Sequence, residues 1–79
     1  NGKTTIVFDV VDVSDVRLKI YNIRGQLIRD LLRSAKHPGR YRVVWDGKDQ
    51  TGKHVPSGMY FCRLRMEQNS RWLKIMLIM

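Results

Sequence analysis

The 79-residue chain carries one cysteine, Cys62, so neither an internal disulfide nor a cysteine zinc cluster can be built. Cys62 sits in an alternating apolar pattern beside Tyr60 and Leu64, which predicts a small buried hydrophobe. A nucleophilic thiol needs an adjacent base and an electropositive helix end, and the sequence shows neither. Long apolar runs are missing as well. The longest, from Ile75 to Met79, falls far short of the roughly 20 residues of a membrane-spanning helix, so no transmembrane segment is expected. No glycine-rich phosphate loop precedes a helix. His37 and His54 are single histidines in turn contexts, with no carboxylate or serine at a catalytic spacing. We therefore expect no enzyme, no cofactor and no metal site. Acids are the last shortage: 7 Asp and Glu face 15 Lys and Arg, a net charge of +8. That balance suits nucleic acid, an acidic polysaccharide, an anionic surface, or only a solvated exterior.

The length gives one domain with a modest core. The chain opens on Asn-Gly-Lys without an initiator Met, and we read it as the C-terminal module of a larger protein. Period-two alternation dominates. Ile6, Phe8 and Val10 alternate with Val7 and Asp9; Val16, Leu18 and Ile20 with Arg17, Lys19 and Tyr21; Tyr41, Val43 and Trp45 with Arg40, Arg42 and Val44; Tyr60, Cys62, Leu64 and Met66 with Phe61, Arg63 and Arg65. Such patterns mark half-buried strands. Residues 26–33 (QLIRDLLR) fit a helical face too, but they follow a hairpin signal and span only two helical turns. A bulged strand is the better reading.

Turn chemistry separates these strands. Asn22-Ile23-Arg24-Gly25 suits a type I turn closed by a left-handed glycine, and Asp49-Gln50-Thr51-Gly52 repeats its logic. His37-Pro38-Gly39-Arg40 places Pro and Gly for a type II turn, and Val55-Pro56-Ser57-Gly58 makes another before the Tyr60 strand. The sequence thus predicts an all-β fold: an antiparallel immunoglobulin/fibronectin-III-like β-sandwich of about seven strands over residues 1–79. The polar stretch after Trp45 then crosses from one sheet to the other, and its Asp residues are turn formers. Calcium at Asp46, Asp49 and Thr51 is the weaker reading. Two carboxylates with Lys48 and Lys53 interposed are a poor set for an ion that takes about six to eight oxygens.

Three stretches are more specific: Tyr21-Asn22-Ile23-Arg24-Gly25, then Trp45-Asp46-Gly47 with Asp49 and Gly52, then Val55-Pro56-Ser57-Gly58-Met59-Tyr60. With them the chain, from Thr4 to Ile78, resembles the immunoglobulin-like domain of the FlgD (flagellar hook-capping) type. It also resembles related C-terminal modules that act as type IX secretion sorting domains in exported bacterial proteins. Met79 stands where the last strand of such modules ends on a basic residue. The resemblance implies a secreted or cell-surface protein. It further implies a module for sorting, surface attachment or assembly, or else a structural spacer or hook-cap-like assembly domain.

Two surfaces are candidate sites. Arg17 and Lys19, Arg40 and Arg42, and Arg63 and Arg65 all take the phase opposite to the apolar residues. They are expected on outer faces, with the first two pairs side by side. A solvated surface is the plainer reading and an acidic polysaccharide the functional one. Specific nucleic-acid binding is not expected, because Trp72 alone could serve as a surface stacking aromatic. In the last strand Leu73, Ile75 and Leu77 fit the core phase, yet Trp72, Met76 and Ile78 make the other side apolar too. Met59 and Phe61 share that outer phase on the expected neighbouring strand. This candidate partner-contact face would meet a preceding domain or export and surface machinery.

Overall fold

A computed structural model of the chain describes residues 2–67 and 69–78; Met79 lies outside them. The described residues form six strands: β1 (Thr4–Val10), β2 (Ser14–Tyr21), β3 (Leu27–Lys36), β4 (Gly39–Trp45), β5 (Gly58–Met66) and β6 (Asn69–Leu77). All pairings are antiparallel and form two sheets, β1-β4 and β3-β2-β5-β6. An immunoglobulin-like sandwich fits this layout, with six strands in place of the expected seven or so.

The missing strand has a physical reason. Between Trp45 and Gly58 the chain is spent on turns and makes only one isolated bridge, Lys48 to His54. Gly47 at φ +75° and Gly52 at φ +90° take conformations that interrupt a strand.

The alternation places the core. Ile6, Phe8 and Val10 from β1 meet Val16, Leu18 and Ile20 from β2 and Tyr60, Cys62 and Leu64 from β5. Trp45, Ile75 and Leu77 complete the buried centre. Met66 and Leu73 have the inner phase but are only partly buried, because a two-stranded sheet cannot cover all of a four-stranded one; Tyr41 and Val43 on β4 are partly buried as well. Burial pushes the Cys62 thiol up to about 11, in keeping with an inert core residue.

β3 is a strand with two register shifts against β2. Leu18 pairs Leu32 while Lys19 pairs Asp30, and Ile20 pairs Arg29 while Tyr21 pairs Leu27. Leu31 and Ile28 are the extra residues, and both pack against the core. This resolves the ambiguous periodicity of residues 26–33, since each bulge shifts the apolar phase by one.

Two turns are built alike. Asn22 Oδ1 accepts from the Arg24 and Gln26 amides at 2.9 and 3.0 Å, and Gly25 at φ +80° donates to the Asn22 carbonyl. Asp49 Oδ1 accepts from the Thr51 and Lys53 amides at 2.9 and 3.1 Å, and Gly52 donates to the Asp49 carbonyl. The expected type II turn at His37-Pro38-Gly39-Arg40 does not form. Gly39 takes φ +155°, well away from the roughly +80° of that turn. Here the chain passes from β3 in one sheet to β4 in the other, so it is not reversed within one ladder.

The segment from Asp46 to Ser57 crosses between the sheets, as its turn residues predict. Arg29 on β3 donates to Asp46 Oδ1 at 3.1 Å and to the Lys48 carbonyl at 3.2 Å. Gln50 covers part of the outer edge of β3, donating its amide to the Ile28 carbonyl and accepting the Asp30 amide on its side chain.

Candidate partner-contact face

Residues directly opposite in an antiparallel ladder share a face, so the register lays out the exterior of the four-stranded sheet row by row. The first row is Arg33, Arg17, Arg65 and Ser70; the next is Asp30, Lys19, Arg63 and Trp72; then come Leu27, Tyr21, Phe61 and Lys74. A last row pairs Met59 with Met76. One end of the face is basic and the other apolar.

The apolar end gathers the expected residues. Trp72, Met76 and Ile78 are 56%, 58% and 70% exposed, while Leu73, Ile75 and Leu77 point to the core side. Met59 is exposed and Phe61 half-buried. Ile78 lies just past β6 and is held by its carbonyl, which accepts from the Gly2 amide at 2.8 Å. Two residues that alternation alone does not single out belong to this end. Lys74 sits opposite Phe61, and Tyr21 meets Trp72 at 5.5 Å between ring centroids. That contact spans from β2 to β6 across β5, so only the strand order could reveal it.

The basic end differs from expectation in its membership. Arg17 and Lys19 do not lie beside Arg40 and Arg42. β4 pairs with β1 in the other sheet, where Arg40 donates to Asp9 at 2.9 Å. That hydrogen bond holds the Asp9 carboxyl below its ordinary value. Arg17 and Lys19 instead lie opposite Arg65 and Arg63, and Arg33 joins them from β3. Bulges hide Arg33 from a period-two reading. Arg63 donates to the Ser70 hydroxyl at 3.0 Å and lies over the Trp72 ring at 5.5 Å. Among the described residues, the two ion pairs are Arg29–Asp46 and Arg40–Asp9, and neither involves this group.

Asp46 and Asp49 serve the backbone. Asp49 Oδ1 also accepts from the Thr51 hydroxyl at 2.7 Å; that bond, with the Lys53 and Thr51 amides, keeps its carboxyl below the usual range. Partial burial works against ionisation of Asp46, but the Lys48 amide and the Arg29 charge outweigh it and its carboxyl is lowered too.

Neither curated proteins nor solved structures gave a match to the sequence. The family model of the FlgD Ig-like domain matches residues 1–70, which takes in β1 to β5 and stops at the start of β6. With its two antiparallel sheets and its paired Asx turns in place, the chain belongs to the FlgD Ig-like domain family.

Proposed function

We propose that this domain is a non-catalytic accessory module of an exported bacterial protein, and that it docks a protein partner through the apolar end of the large sheet. One observation carries the reading: exposed Met59, Trp72 and Met76 and half-buried Phe61 share the outer face of a regular β5–β6 ladder, with exposed Ile78 just past its end. A small domain exposing such a patch risks association unless something covers it. Its make-up of Trp, Tyr, Phe and Met beside Arg matches the centres of protein interfaces, where these residues are enriched.

Membership of the FlgD Ig-like family supports a structural role related to flagellar hook capping. The finer reading is that export or surface-assembly machinery of the type IX kind engages the patch, and that the parent protein works outside the cell or at its surface. A preceding domain of the same chain is the rival occupant, and a passive spacer the rival role.

The test is a Trp72→Ser, Met76→Ser, Ile78→Ser variant read in two ways. The isolated domain should melt close to the parent, and delivery of the full-length protein to the cell exterior should fall. Normal delivery with a normal melt would show a passive spacer. Loss of contact with a neighbouring domain while delivery stays normal would assign the patch to that domain.

A further inference from the structure

The basic end of the face is a separate feature with its own chemistry. Arg17 has an arginine directly opposite it on both sides, Arg33 on β3 and Arg65 on β5. One step along the strands Lys19 lies between Arg63 on β5 and Asp30 on β3, so the uncompensated row is that of Arg17. Like charges placed directly across a sheet oppose its pairing. Acidic residues at these positions would have relieved the strain, and the nearest carboxylates, Asp15, Asp30 and Glu67, form no ion pair with the five cations among the described residues. Of the hollows between these side chains, one is lined by Arg17 and Arg33 with Asp15 at its end, and another by Arg17 and Arg65 with Asp15 and Glu67.

We infer that this band is a binding site for a linear anionic glycan carrying carboxylate or sulfate on successive sugars. Three arguments select that class. Neighbouring strands stand about 4.8 Å apart, so the row Arg33, Arg17, Arg65 offers guanidinium groups at a step commensurate with one sugar ring of an extended chain. Guanidinium forks match carboxylate and sulfate oxygens in a way that ammonium groups do not, and four of the five cations are arginines. Finally, the site is an open row on a flat sheet. A small anion needs an enclosing pocket, whereas a polymer gains by touching several cations in turn.

Nucleic acid fits less well. Stacking of successive bases needs a series of free aromatic faces, but this face exposes one such ring, Trp72, which already has Tyr21 against it and the Arg63 guanidinium over it. The band meets the apolar patch only where Arg63 lies over Trp72, so the row Arg33, Arg17 and Arg65, which touches no patch residue across the ladder, is the part whose variants test the two assignments separately.

The experiment uses the 79-residue chain with polygalacturonate, dextran sulfate, neutral dextran and a single-stranded DNA oligonucleotide, at physiological ionic strength. Arg17→Gln, Arg33→Gln, Arg65→Gln is compared with a variant of the same net charge, Lys3→Gln, Arg24→Gln, Arg42→Gln. At least one anionic glycan should bind and neutral dextran should not. The row variant should weaken binding by about tenfold or more and the charge-matched one by about threefold or less. Arg17→Gln alone, at the centre of the row, should lose several-fold without lowering the melting temperature. Equal loss in the two triple variants would reduce the effect to net charge and overturn the site. So would no glycan binding, or tighter binding of the oligonucleotide than of either glycan.

Discussion

Trp45 and Tyr60 meet edge to face across the two sheets, with ring centroids 5.3 Å apart and planes at 72°. Trp45 is the last residue of β4 and Tyr60 the third of β5, so the contact lies where the chain leaves one sheet and enters the other. The polar end of each ring is tied to the connecting segment. Trp45 Nε1 donates to the Lys48 carbonyl at 3.0 Å, and the Tyr60 hydroxyl donates to the Pro56 carbonyl at 2.7 Å. One aromatic pair therefore anchors both ends of the crossing while its apolar bodies fill the core.

Replacing Trp45 with Ala should cost about 3–5 kcal/mol, as expected for a fully buried large side chain. Denaturant unfolding measures the loss. A Trp72→Phe variant leaves Trp45 as the one fluorophore of its type, and its emission should be blue-shifted in the fold. A solvent-like maximum would contradict its place between the sheets.

The hydroxyl of Tyr60 can be tested separately. Tyr60→Phe leaves the Pro56 carbonyl unpaired at a partly buried position and should cost about 1–2 kcal/mol. Tyr41 makes the same kind of bond to the His37 carbonyl, at 2.6 Å but in an exposed setting. Tyr41→Phe should cost less, about 0.5 kcal/mol, in the same unfolding assay.

The core could be read from the sequence because phase is local: Ile6, Phe8, Val16, Leu18, Trp45, Cys62 and Leu77 each declare a face through their neighbours in the chain. Strand order is not local. Nothing near Arg17 in sequence says that Arg65 is its neighbour and Arg42 is not, since that depends on which sheet receives β4. Arg33 escapes for a different reason: the bulges at Leu31 and Ile28 break the parity that would have placed it. The apolar patch was more legible, because its members lie on two strands that follow one another and pair directly.

Acid should destabilise the domain in a defined window. In the fold Asp9, Asp46 and Asp49 all ionise below their ordinary value, so the unfolded chain binds protons first as pH drops. Their contribution is complete above the unfolded value near pH 4 and is lost as pH falls through the folded ones. Melting temperature should be level from neutral pH to about 5 and decline below about 4. Asp49→Asn should keep the turn, since Asn22 already forms the same one, and should make the decline shallower. An unchanged acid profile would remove Asp49 from this account.

Gly47 and Gly25 both have positive φ, +75° and +80°, but different surroundings. A Cβ on Gly47 would stand 2.5 Å from the Gly2 carbonyl oxygen, whereas one on Gly25 would meet open space. Gly25→Ala should cost about 1 kcal/mol for the left-handed backbone alone. Gly47→Ala should cost clearly more, about 2–4 kcal/mol, because the chain start must also move. Equal melting of the two variants would show that the contact with Gly2 yields freely.

The bulges of β3 and the Gln50 contacts along its edge have a consequence for association. The opposite edge of the same sheet, β6, is regular: nine consecutive residues pair with β5 without a shift. On β3 the bulges and Gln50 spoil the stretch from Leu27 to Leu31, while Leu32–Lys36 pairs without a shift, so a strand adds more readily at β6 than at β3. Joining two such sheets β6 to β6 uses the better edge of each, and a continuing fibre would have to use the bulged one to receive the next copy. For a domain with so apolar a margin, this asymmetry favours a closed pair over open-ended polymerisation of the large sheet.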